Sequence, residues 1–141
     1  MKRTASARWE GDLKTGKGSV STASGVLAET LYSFTSRFEN GKGTNPEELI
    51  AAAHAGCFAM ALSGQLGSAG LTAQSLEVTA TVTMEKLDAG FTVTEVGLGL
   101  VAKIPGAPKD KFDTAANNAK TGCPISRLLN AKITLNAQLQ S

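Results

Sequence analysis

The sequence predicts a single α+β domain spanning residues 1–141, with helices packed on antiparallel sheet. Three observations carry that prediction. A length of 141 residues suits one domain with a real core. The stretch SLEVTATVTMEKLDAGFTVTEVGLGLVAKIPG alternates as a long hairpin, with Val78, Ala80, Val82 and Met84 against Glu77, Thr79, Thr81 and Thr83. The stretch from Asn45 onward has the start signals and the length of one long helix.

The elements follow in order. SARWEGDLKTGKGSVSTASG reads as two strands around a Lys-Thr-Gly-Lys-Gly turn. GVLAETLYSFTSRFE reads as a further short strand and an irregular connection, and NGKGTNP as loop. Asn45 suits an N-cap, Pro46 the first helical turn, and Glu47 and Glu48 complement the helix dipole. Gly67 and Gly70 mark the end of that helix. Asp88-Ala89-Gly90 turns the hairpin. A second helix is expected from Pro108 to about Lys120, a short third one in CPISRLL, and a closing strand in AKITLNAQLQ. The order is βββ-α-ββ-α-α-β, with no repeats and no linkers.

Composition narrows the function classes. The net charge is +2 and no Arg/Lys cluster is interleaved with aromatics, so nucleic acid is not an expected partner. The N-terminus MKRTASARWEGD lacks the apolar core of a signal peptide, so the expected location is cytoplasmic. Leu49 to Leu76 carries no Asp, Glu, Lys or Arg, but it is mostly alanine and is diluted by His, Ser, Gln, Thr and Gly. It reads as a buried helix and its exit loop rather than a membrane span. From Leu49 to Leu66 this helix has almost no polar face. A helix apolar all round is buried on every side, and a short chain has little material to surround one. A second copy would supply the missing wall, so an intimate homodimer is expected.

Four candidate chemistries deserve weighing. GDLKTGKGS imitates a P-loop, but Gly18 stands where Ser or Thr should hold magnesium, and no long helix follows. A hairpin turn explains it better. His54, Cys57 and Cys123 offer three N/S ligands without CxxC spacing, so no metal is expected and no other cofactor either. His54 and Cys57 are three residues apart on one helix face, which permits a Cys-His dyad. Glu47 lies two turns before His54, roughly 10 Å along the axis, too far to orient it. The two cysteines could instead form a redox pair. Cys57 is mid-helix, out of reach of the helix N-terminus, and would need another cation to ionise. Cys123 precedes Pro124 at the start of a short helix, where free N–H groups favour a thiolate. Spacing alone does not decide whether the two cysteines meet.

The stretches ARWEGDLKTGKGSVST, SRFENGKGTNPEELIAAAHAGCFAMALS, DAGFTV and AKTGCPISRLLNAKITL resemble the osmotically inducible protein C branch of the OsmC/Ohr family, from about Ala7 to the C-terminus. The resemblance implies antiparallel sheets wrapped around long central helices in an intertwined homodimer, with active sites at the subunit interface. It also implies a cysteine-based peroxidase that reduces organic hydroperoxides in oxidative and osmotic stress defence. Carried over by motif, the peroxidatic cysteine is Cys57, the resolving cysteine Cys123, the active-site arginine Arg37 and its carboxylate partner Glu47. The implied reductant is a dithiol, typically a lipoylated protein. Glu47 is ten residues before Cys57, about 15 Å along a helix, so it is expected to hold Arg37 rather than touch the sulfur. Arg37 is expected to favour the thiolate. The role of His54 stays open, as does a Cys-His hydrolase or a redox sensor without turnover.

Overall fold

The structure, a computed structural model, describes residues 1–140. The chain divides into two compact units, Met1–Leu49 and the remainder from Ile50. The first unit is a three-stranded antiparallel sheet of β1 (Ala5–Glu10), β2 (Lys17–Thr22) and β3 (Thr30–Tyr32), in that order. A short helix α1 (Phe34–Phe38) follows. Gly18 lets the first unit pack its rings. A Cβ there would come within 2.6 Å of both the Trp9 and the Tyr32 rings, which meet with centroids 5.5 Å apart.

Two local expectations shift. The first turn occupies residues 11–16, and Lys17 and Gly18 already belong to β2. Asp12 sets that turn, because its carboxylate accepts from the Lys14 and Thr15 backbone N–H groups and from the Thr15 hydroxyl. These bonds, the Thr15 hydroxyl foremost, hold Asp12 below the usual carboxylate range. The irregular connection contains α1, whose start is a capping box built from Ser33 and Ser36 rather than from Ser and Glu.

Helix α2 (Pro46–Ser68) begins in the first unit and runs on through the second. Its start is as the sequence indicates, with Asn45 Oδ1 accepting from the Glu48 N–H at 2.8 Å. It closes on a Schellman arrangement: Leu71 N–H donates to Leu66 C=O at 2.8 Å, Gly70 N–H donates to Gly67 C=O, and Gly70 has φ 75°. By length and composition alone α2 could cross a membrane.

The second unit pairs β4 (Ser75–Leu87) with β5 (Gly90–Lys103) as the long hairpin, with a bulge at Thr83/Met84. Helices α3 (Lys109–Gly122) and α4 (Pro124–Leu128) lead to β6 (Lys132–Gln140). The fold is α+β, but the sheet is not wholly antiparallel, since β6 runs parallel to β5. A parallel neighbour needs a long crossover, and α3 with α4 supplies it. The core joins Phe58, Leu62 and Leu66 of α2 to Val96, Leu98 and Leu100 of β5 and to Phe112 and Ala116 of α3. Within one chain α2 is thus buried along a single stripe at every fourth residue. Ala52, Ala53, Gly56, Met60 and Gly64 are exposed, so burial on every side is not met by the chain itself.

Candidate active site

Two paired arrangements hold the residues singled out from sequence. In the first unit, Arg37 sits in the last turn of α1 and Glu47 in the first turn of α2. Arg37 Nη2 donates to Glu47 Oε1 at 2.7 Å, and Nε donates to Oε1 and Oε2 at 3.1 and 3.2 Å. This is the two-nitrogen fork that fixes a guanidinium plane. The guanidinium carbon also lies 5.2 Å from the Phe38 ring centroid. The anchoring of both ends is local: Ser36 Oγ donates to Thr44 C=O, and Asn45 Nδ2 donates to Ser36 C=O, tying α1 to the α2 start.

Beside Arg37 is a cavity of about 260 Å³ lined by Trp9, Leu13, Tyr32, Phe34 and Phe38. Sequence reading did not connect these aromatics. The signal was present as aromatic residues at β1, β3 and α1, but only the register of Trp9 opposite Gly18 and of Gly18 opposite Tyr32 shows that they share one place.

In the second unit, Cys57 of α2 and Cys123 meet. Their Sγ atoms are 2.9 Å apart and both thiols are free. Cys123 lies at the junction of α3 and α4, with φ −57° and ψ 129°. Pro124 explains that bend: it disfavours helical geometry in the residue before it, yet fits the first turn of the helix after it. Cys123 is fully buried at 0% exposure, whereas Cys57 is partly exposed.

The two sulfurs differ electrostatically. Burial pushes the Cys57 thiol up, and its contact with Cys123 adds to that, against one backbone contact with Ile125. At Cys123 burial also works upward. It is outweighed by the contact with Cys57, the backbone and hydroxyl of Ser126 and the backbone of Ile125, which bring this thiol below its ordinary range.

His54 is one turn before Cys57 and fully buried. Its Nε2 is 2.7 Å from Ser126 Oγ. Its Nδ1 has no partner among the described residues. The ring is therefore engaged with Ser126 and not in a Cys-His dyad, and burial lowers its pKa. Ser126 was missed from sequence.

The chain as a whole is similar to several known proteins. A family model described as OsmC-like protein matches residues 39–138. Peroxiredoxin OsmC of Escherichia coli (strain K12) is 55% identical over 135 residues, covering 96% of this chain and 94% of that protein. Organic hydroperoxide resistance protein OhrB of Bacillus subtilis (strain 168) is 27% identical over 124 residues, covering 87% and 89%. A crystal structure of an organic hydroperoxide resistance protein from Elizabethkingia anophelis matches with TM-score 0.75 and 27% identity, covering 99% of each chain.

Proposed function

This chain belongs to the OsmC-like family and is a peroxidase of peroxide detoxification, and on that footing we propose that Cys57 and Cys123 reduce organic hydroperoxides to alcohols. The Cys57 thiolate attacks the outer peroxide oxygen, the O–O bond breaks, and the alcohol leaves after taking a proton. The Cys57 sulfenic acid then condenses with the Cys123 thiol, releasing water and forming a disulfide. A dithiol, a lipoylated protein in this reading, returns both cysteines to thiols and leaves as its own disulfide. The single observation carrying the proposal is the 2.9 Å separation of the two sulfurs, which leaves little movement for the condensation.

Arg37 takes two roles in this reading. Its permanent charge favours the Cys57 thiolate, which burial and the contact with Cys123 oppose, and its donors stabilise the leaving oxygen. Glu47 holds the guanidinium plane. The aromatic cavity beside Arg37 supports an organic substituent on the peroxide. The exposed small residues of α2 support a homodimer, with one OsmC-like domain per chain. A cytoplasmic setting, where thiols are kept reduced, suits the cycle.

The test is intact mass after one equivalent of cumene hydroperoxide. Wild type should lose about 2 Da, the two hydrogens given up in forming a disulfide. Cys123→Ser should instead gain about 16 or 32 Da as sulfenic or sulfinic acid. A stable oxygen adduct in wild type, with no disulfide, would refute the resolving role of Cys123.

A further inference from the structure

We propose that the His54–Ser126 hydrogen bond is a clamp that holds Cys123 against Cys57 while the sulfurs change state, so that the Cys57 sulfenic acid closes to the disulfide before a second peroxide reaches it. This role rests on the disulfide cycle of the preceding subsection and adds the residues that position its second step.

Two contacts join α2 to the start of α4 as successive rungs. Cys57 Sγ and Cys123 Sγ are 2.9 Å apart, and His54 Nε2 and Ser126 Oγ are 2.7 Å apart. His54 lies three residues before Cys57 on α2, so the two share a face. Ser126 lies three residues after Cys123, and the Arg127 N–H donates to Cys123 C=O at 3.1 Å, closing the turn between them. The two rungs are thus about 4.5 Å apart along each helix, three residues at 1.5 Å rise. A tie that close to the sulfurs limits their separation as well as its own. Either tautomer of the imidazole can make it, because a serine hydroxyl both donates and accepts.

The rest of α4 is weakly anchored. None of its five residues is fully buried, Pro124, Arg127 and Leu128 are exposed, and Ile125 is only partly buried against the core. The sulfur rung cannot be the standing tie, because it is the bond that is made and broken. The imidazole–hydroxyl rung contains no sulfur and keeps its chemistry through the cycle. Its cost also points to position rather than stability. His54 is 0% exposed, on the buried stripe it shares with Phe58, Leu62 and Leu66, and its Nδ1 has no partner among the described residues. A buried polar atom left unpaired lowers stability, and a leucine would continue the stripe without that penalty.

In the second step the Cys123 sulfur attacks the Cys57 sulfur, the S–O bond breaks, and the oxygen leaves as water with the thiol proton. The sulfurs close from 2.9 Å to a bond of about 2.05 Å. In the competing step a second hydroperoxide gives its outer oxygen to Cys57, an alcohol leaves, and a sulfinic acid remains. Holding Cys123 near its attack position raises its effective concentration at Cys57 and favours the first outcome. His54 and Ser126 act through the placement of α4 and are positioning residues.

Mixtures of reduced and oxidised dithiothreitol set the disulfide equilibrium without any peroxide, and intact mass after alkylation reads the disulfide fraction. Ser126→Ala and His54→Leu should lower the equilibrium constant for disulfide formation about tenfold, the scale of one hydrogen bond. His54→Gln, with an amide near the Nε2 position, should recover most of that loss. The double variant His54→Leu/Ser126→Ala leaves neither partner orphaned, so it should unfold at or above the wild-type midpoint yet keep the tenfold loss. Recovery of the disulfide constant together with stability would make the pair a plain structural contact and overturns the clamp, as does a Ser126→Ala constant equal to wild type. With cumene hydroperoxide and no reductant, the concentration that converts half of Cys57 to sulfinic acid should fall about tenfold in Ser126→Ala and in the double variant. An unchanged concentration overturns the clamp's part in capturing the sulfenic acid. If hydroperoxide makes no disulfide in wild type while the constants in dithiothreitol still differ tenfold, the peroxidase cycle falls and the clamp stands.

Discussion

Arg37 and Glu47 hold each other through two guanidinium nitrogens, with side-chain exposures of 37% and 15%. At that exposure the pair adds only about 1 kcal/mol to stability. Orientation of the arginine is then the more economical account of so specific a geometry. Arg37→Ala should slow hydroperoxide oxidation of Cys57 by orders of magnitude at neutral pH and move its rate–pH midpoint upward, since the proposed cation that favours the thiolate would be gone. Arg37→Lys should restore the charge without the fork, and so only part of the rate. Glu47→Ala should be milder, and the double variant no worse than Arg37→Ala, because Glu47 acts only through Arg37. Stopped-flow oxidation rates across pH would show it; simple addition of the two effects would break the chain from Glu47 to Arg37 to sulfur. These residues were legible unequally. The cysteines drew attention by their scarcity, two in the chain, but only the family resemblance paired them. His54 and Ser126 are 72 residues apart, and neither type signals a partner at that range. A serine in a short helix reads as polar surface until the fold shows what it faces.

Elements were legible where a period or a punctuation residue repeats. Strand β4 alternates from Leu76 to Met84, and the turn of the hairpin needs Gly90, whose φ is 121°. The start of α2 is written in Asn45, Pro46, Glu47 and Glu48. Helix α1, five residues long, offers no such period, and its cap uses Ser36 where a glutamate would have announced it. The direction of β6 is equally silent, because a strand's sequence reads the same against a parallel or an antiparallel neighbour. Close approach is the other silent quantity. Gly18 looks like turn chemistry in sequence, yet it lies in β2 between the Trp9 and Tyr32 rings. Gly18→Ala should therefore cost about 1–3 kcal/mol by overpacking. Thermal unfolding followed by the fluorescence of Trp9, the chain's one tryptophan, should show a lowered midpoint. An unchanged midpoint would mean the rings separate without cost.

At the scale of the whole molecule the question is what covers the outer face of α2. One stripe of that helix, His54, Phe58, Leu62 and Leu66, is packed in the core. The opposite face leaves Met60 at 79% exposure, flanked by Ala53, Gly56 and Gly64. A Cβ added at Gly56 or Gly64 would meet nothing within 4 Å inside the chain. No contact within the chain therefore requires glycine at either position. Small residues on a helix face let another backbone approach closely, and the same helix of a second copy has the matching surface, as a two-fold contact requires. Burying Met60 in such a contact contributes about 2 kcal/mol per copy. Wild type should sediment at twice the chain mass at micromolar concentration. Gly64→Arg, two turns beyond Cys57 and facing away from the core, should sediment as a monomer, because a long charged side chain would be driven between the helices. Peroxidase turnover should fall with it if the sites lie at the subunit interface. A wild-type monomer, or a Gly64→Arg protein that remains dimeric, would remove α2 from the interface and leave its apolar face without a partner of its own kind.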